Sequence, residues 1–236
     1  YDDQLSDFLA SSGNLIISGE SIPLLSKESL LKLINKIVSY NYEIKVIALV
    51  RSPYAMICSA IQQSIKTGEY FELISLNDCM PTSFSDKKLH LKSKTAEKLI
   101  SVFETSICFH SFDRACMHSY GPVGFLLEEF LNQDPSIFKY KKNNESLSNL
   151  SVRMQNEFNA VNPAFVSSKN GNKYNAKFQR FPLKVDERLR FSGKFLLTEA
   201  EYGLVEEFVK SETESLNKIT GLDFSGQILK FSKPIF

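Results

Sequence analysis

Apolar residues recur along this chain at two spacings, and the change from one to the other comes at Arg51. Between Ser26 and Tyr40, Leu30, Leu31, Ile34, Ile37 and Val38 return every three or four positions, and Ser26 stands where it can cap the first turn. That period predicts an amphipathic helix. Ile44–Val50, IKVIALV, is aliphatic apart from Lys45, as expected of a strand buried on both faces inside a parallel sheet. Arg51 ends the run. Ser52 can then accept a backbone N–H and Pro53 suits the first helical position, so a helix is expected at once, to about Lys66. Its apolar stripe is Tyr54, Cys58, Ile61 and Ile65, and a separate stripe of Ser59, Gln62, Gln63 and Lys66 is polar.

The same reading extends in both directions. Tyr1 to Ala10 reads as the end of a helix with Gly13 as its stop, and Asn14 to Ser18, NLIIS, as a short buried strand followed by Glu20. Beyond the central helix, 92–103 predicts a helix, 106–112 a strand, and 122–131 and 147–158 two more helices. Thr198 and Glu201 form a capping box that opens a helix running toward Gly221. Strands alternating with helices predict an α/β domain with a central parallel sheet and right-handed crossovers. Two stretches lose their period: 69–86, expected to be a lid or a binding loop, and 162–190, a long polar excursion expected to form part of a cleft.

Composition narrows the picture. The 236 residues suffice for one domain covering 1–236, and 19 Phe with no Trp predict a phenylalanine-rich core. Lys plus Arg is 28 against 27 for Asp plus Glu, which argues against a nucleic-acid binder with a globally basic surface, so any anion site must be local. The four cysteines contain no CxxC pair, which fits free thiols in a reducing compartment and a cytoplasmic location. No apolar run approaches the roughly 18 residues of a membrane span. Cys108, His110, Cys116 and His118 offer two CxH pairs, but the spacing matches no zinc module, and no metal is expected.

The local anion site is expected at Arg51 and Ser59. The arginine stands at the carboxyl end of a central strand, where open α/β sheets bind ligands, and the serine lies about two turns along the following helix. A guanidinium fork and a hydroxyl suit a phosphate dianion. The one basic knot is Phe138–Ser148, FKYKKNNESLS, with Lys141 and Lys142 at its centre.

VRSPYAMICSAIQQSIKTG resembles the segment of PAPS-dependent sulfotransferases that holds the 3′-phosphate of the cofactor, an arginine just after a strand and a serine eight positions later. Ser59, Gln62, Lys66 and Gly68 follow the bacterial form of that segment, and NESLS (Asn144 to Ser148) and the late ITGLDFSG are similar to bacterial members too. With gaps, the resemblance covers about two thirds of the chain, from Asn14 to Gly226. It implies a three-layer αβα, P-loop NTPase-like fold and transfer of a sulfuryl group from PAPS to a hydroxyl or amine of a small molecule or glycan. Arg51 and Ser59 would bind the 3′-phosphate, Lys141 or Lys142 would close over it, and Glu20, beyond a strand beside that of Arg51, would be the general base. Ser18 could orient an acceptor hydroxyl, while Asp113 has only a structural reading. The family's amino-terminal phosphosulfate loop is not found: the sequence has neither GxxxxGK[ST] nor GxGxxG, and the expectation is that the loop precedes Tyr1. The rivals are a nucleotide-dependent kinase of related topology and a non-catalytic carbohydrate-binding or assembly subunit.

Overall fold

The structure is a computed structural model that describes residues 2–11, 13–72, 74, 89, 91–140, 147–162, 164–168, 171–174, 193–227 and 229–233. Its centre is a pair of parallel strands, β1 (Val46–Val50) and β2 (Ile107–Ser111), in a register that runs from Val46 opposite Ile107 to Val50 opposite Ser111. The chain is thus α/β. A second pair, β3 (Phe165–Ser168) and β4 (Gly171–Tyr174), forms an antiparallel hairpin.

The helices are α1 (Asp2–Leu9), α2 (Lys27–Ser39), α3 (Pro53–Lys66), α4 (Lys92–Phe103), α5 (Phe112–Cys116), α6 (Gly121–Leu131), α7 (Asn149–Val161), α8 (Glu199–Gly203) and α9 (Glu206–Thr220). Several begin as the sequence dictates. Ser26 Oγ accepts from the Ser29 N–H at 3.1 Å, and Thr198 and Glu201 close a reciprocal capping box. The long helix expected from Thr198 is interrupted by a turn at Leu204 and Val205, which splits it into α8 and α9.

Two expectations are corrected. Asn14–Ser18 is not a strand: it lies outside any ladder among the described residues, with Ile16 65 % exposed. An apolar run becomes a strand only where it pairs with a sheet edge, and among the described residues β1 pairs with β2 alone. Nor is β1 buried on both faces, since all five of its residues are half-buried.

The main core gathers the apolar stripe of α3 (Tyr54, Ile57, Cys58, Ile61, Ile65) with Val152 of α7, Phe195, Leu197 and Val205. A smaller one joins Ala96 of α4, Leu216 of α9 and Phe224 to Val50 and Phe109 of the sheet. Buried polar groups lock these layers together, each with partners that offset its loss of water. Arg153 of α7 forms a two-pronged ion pair with Glu201 of α8 at 2.7 and 2.8 Å. Asn156 Nδ2 donates to the carbonyls of Phe71 and Ile74, and its Oδ1 accepts from the Phe71 N–H, each at 2.8 Å. Asn159 Nδ2 holds the carbonyls of Ile65 and Glu69 in the same way. The chain leaving α3 is therefore fastened to α7 by side-chain amides in place of a ladder. At the other end of the sheet's helical cover, Glu212 of α9 accepts from the N–H and the hydroxyl of Ser93, at 2.7 Å each, and so caps α4.

Candidate functional site

The site forms where β1 passes into α3. Ser52 Oγ accepts from the Ala55 N–H at 3.4 Å and Pro53 occupies the first turn, so the chain turns sharply and only Arg51 and Ser52 separate the strand from α3. This leaves the Arg51 side chain at the carboxyl edge of the sheet. Arg51 Nη1 donates to Ser59 Oγ at 2.8 Å, so the two residues that the sequence placed eight positions apart converge. The bond occupies the hydroxyl as an acceptor. Among the described residues, its own hydrogen and the Nε and Nη2 groups of Arg51 donate to nothing, and no carboxylate pairs with the guanidinium.

Parallel pairing adds the residue opposite. Val50 lies across from Ser111, so the next step carries Arg51 beside Phe112, the first residue of α5. Arg51 Cζ stands over the Phe112 ring, 4.0 Å from its centre, a cation–π contact. The guanidinium carbon thus sits over the ring, while Ser59 accepts from one nitrogen.

Lys194 is a second cation here. It forms an isolated antiparallel bridge with Ser148, directly before α7, flanked by a 2.9 Å bond from the Phe195 N–H to the Leu147 carbonyl. Its charge is felt at Cys58, beside Ser59 on α3, and, together with that of Arg51, at Cys116 on α5. Burial pushes the Cys58 thiol up, offset in part by hydrogen bonds with Leu197 and Tyr54 and then by Lys194, while partial desolvation and Asp113 raise that of Cys116 against the pull of Arg51 and Lys194. The Arg51 guanidinium and the Ser59 hydroxyl, with no carboxylate on the arginine among the described residues, form a donor pair suited to a dianionic ester, and the charge of Lys194 adds to the positive potential around them.

The other expected residues fall differently. Glu20 lies in an exposed turn before the short 3-10 turn Ile22–Leu24; Ser18 is exposed on the unpaired segment before it. The strand expected to carry Glu20 beside that of Arg51 does not form over 14–18, and among the described residues Glu20 makes no hydrogen bond or ion pair with Arg51 or Ser59. Lys141 and Lys142 lie outside the described residues. Gln62, expected on a wet face, accepts from the Leu147 N–H at 3.2 Å and so pins the start of α7 to α3. Asp113 Oδ2 accepts from Gln227 Nε2 at 3.0 Å, a structural tie.

The two CxH pairs do not converge. His110 lies edge-on to Phe130 and Phe125, with ring centres 4.9 and 5.7 Å away. His118 Nδ1 accepts from the Tyr120 N–H at 3.2 Å, which leaves Nε2 as the protonated nitrogen that donates to Glu128 at 2.7 Å. Gly124 lets this arrangement form, since a Cβ there would fall on Tyr120 and 2.8 Å from His118 Nδ1. Among the described residues no group of three or more His, Cys, Asp and Glu side chains could hold a metal ion, and no helix is long and apolar enough to cross a membrane.

Sequence reasoning missed Phe112 and Lys194. Phe112 was read as the last residue of a strand, and only the register with β1 shows that it faces Arg51. Lys194 had one signal, its place in Ser192-Gly193-Lys194 just before the apolar FLL that leads to the capping box. No protein-family model, curated protein or solved structure matches this chain.

Proposed function

We propose that this chain is a PAPS-dependent sulfotransferase of the three-layer, P-loop-like αβα type, which moves a sulfuryl group to a hydroxyl or amine acceptor on a carbohydrate. The observation that carries the reading is the meeting of Arg51 and Ser59, at 2.8 Å, at the carboxyl edge of a parallel sheet. That pair has the donors, charge and geometry for the 3′-phosphate of the cofactor. Lys194 adds a further positive charge, and Lys141 or Lys142 is proposed to add another.

In the reaction the donor supplies an activated sulfuryl group. The acceptor oxygen or nitrogen gives up its proton to a base, forms the new bond to sulfur, and the bond from sulfur to the 5′-phosphate oxygen breaks, leaving adenosine 3′,5′-bisphosphate. This chain's part, on the residues described, is to anchor the nucleotide through its 3′-phosphate and so fix the distance to the acceptor. Glu20 is proposed as the base on the resemblance alone. Glu20→Gln is then expected to lower turnover by about 10²–10⁴-fold with nucleotide affinity unchanged.

Calorimetric titration tests the reading and separates it from a kinase. Adenosine 3′,5′-bisphosphate is expected to bind at least about tenfold more tightly than ADP, a difference of about 1.4 kcal/mol. Arg51→Ala should abolish that preference. Equal affinities, or a preference for ADP, would overturn the assignment.

A further inference from the structure

The geometry points to Phe112 as a positioning residue for the anion site: its ring holds the Arg51 guanidinium in the orientation that presents the remaining N–H groups to a 3′-phosphate. The inference rests on the function proposed above.

A lone arginine has several rotatable bonds, and its affinity for a phosphate falls when those rotors must be frozen on binding. Here two contacts of different kind act on the guanidinium before any ligand arrives. Ser59 Oγ lies 2.8 Å from Nη1 and fixes one nitrogen along the direction of a hydrogen bond. The Phe112 ring lies under Cζ, 4.0 Å from it, and limits how far the guanidinium can swing. One contact alone leaves a rotation free. Together they restrict both the position of Cζ and the direction of Nη1, and the edge left over is the Nε and Nη2 side, which is uncommitted among the described residues. A side-on guanidinium edge is the geometry that takes two oxygens of one phosphate.

Phe112 itself is held by the backbone. It follows β2 directly, opposite the step at which β1 delivers Arg51, and Ser111 Oγ accepts from the Arg114 N–H at 3.3 Å to start α5 at that point. The ring does not touch the anion in this account; it acts through the arginine. It also contributes no competing acceptor, as a carboxylate at position 112 would, so the full positive charge stays available.

The test uses Phe112→Leu, Phe112→Met and Phe112→Tyr in the full chain, with two readouts. In the ligand-free wild type, the Arg51 Nε–H proton resonance is expected upfield from the ring current of Phe112, and this shift should vanish in the Leu and Met variants but persist in Tyr. Affinity for adenosine 3′,5′-bisphosphate relative to AMP is expected to fall about three- to tenfold in Leu and Met, with AMP affinity unchanged, and to be kept in Tyr. A wild-type ratio in the Leu and Met variants, or equal weakening of both nucleotides, would overturn the inference while leaving the proposed function standing. A wild-type protein that does not distinguish the two nucleotides would overturn the proposed function itself, and the inference with it.

Discussion

Glu201→Gln should destabilise the protein by about 3–5 kcal/mol, because it leaves a buried guanidinium without its counter-charge. The side chains of Arg153 and Glu201 are 3 % and 6 % exposed, and both guanidinium ends meet carboxylate oxygens, at 2.7 and 2.8 Å. The substitution is informative because Glu201 has two duties. Its Oε2 also accepts from the Thr198 N–H at 2.7 Å, the return half of the capping box, and a glutamine can still make that bond. Thr198→Ala therefore isolates the cap, at about 1 kcal/mol, while Glu201→Gln isolates the charge. The double variant Arg153→Met, Glu201→Leu removes both charges and is expected to be closer to wild type than Glu201→Gln is. Urea unfolding, with midpoint and slope both recorded, measures these differences. If Glu201→Gln lies within about 1 kcal/mol of the wild type, the pair is not acting as a desolvated charge pair, and the argument fails. The consequence reaches the site, since this pair ties α7 to the chain after Lys194, and the bridge between Ser148 and Lys194 lies at the head of α7.

Two further outcomes follow from shifted groups. Burial, then the charge of Arg114, push the His110 imidazole below its ordinary value, so the unfolded chain binds the proton more readily than the folded one. Stability should accordingly fall as pH drops below about 6.5, until the folded-state value is also passed, and His110→Phe should flatten that part of the profile. Melting temperatures between about pH 4.5 and 7.5 measure it, and an identical slope in the variant would count against the assignment. At Cys116, an exposed residue whose thiol is raised by partial desolvation and Asp113 but eased by Arg51 and Lys194, bound adenosine 3′,5′-bisphosphate should neutralise the helping cations. Alkylation at pH 8, followed by mass spectrometry of the Cys116 peptide, should slow severalfold with saturating nucleotide; an unchanged rate would place the nucleotide elsewhere.

What was legible in the sequence was local. The helix from Pro53 to Lys66 could be read because its cap, its proline and its apolar stripe all lie within a few residues of one another, and the convergence of Arg51 and Ser59 follows from that helix's pitch. The same holds for the capping box at Thr198 and Glu201. Non-local pairing was not legible. Asn14–Ser18 has the composition of a strand, yet a strand needs an edge to pair with, and composition does not say whether one is available. The parallel register that sets Phe112 over Arg51, and the antiparallel bridge that brings Lys194 back to the head of α7, join residues far apart in the chain. Neither leaves a trace in periodicity. The polar core of Arg153, Asn156 and Asn159 was hidden for another reason: on one helix face these residues look like a solvated stripe until their partners are known.

The most direct test of the central claim is a crystal structure of the full chain with adenosine 3′,5′-bisphosphate. The account predicts the 3′-phosphate within hydrogen-bond distance of both the Arg51 guanidinium and Ser59 Oγ, with the arginine still over the Phe112 ring. A nucleotide whose 3′-phosphate lies away from Arg51, with the bond from Arg51 to Ser59 undisturbed, would contradict it.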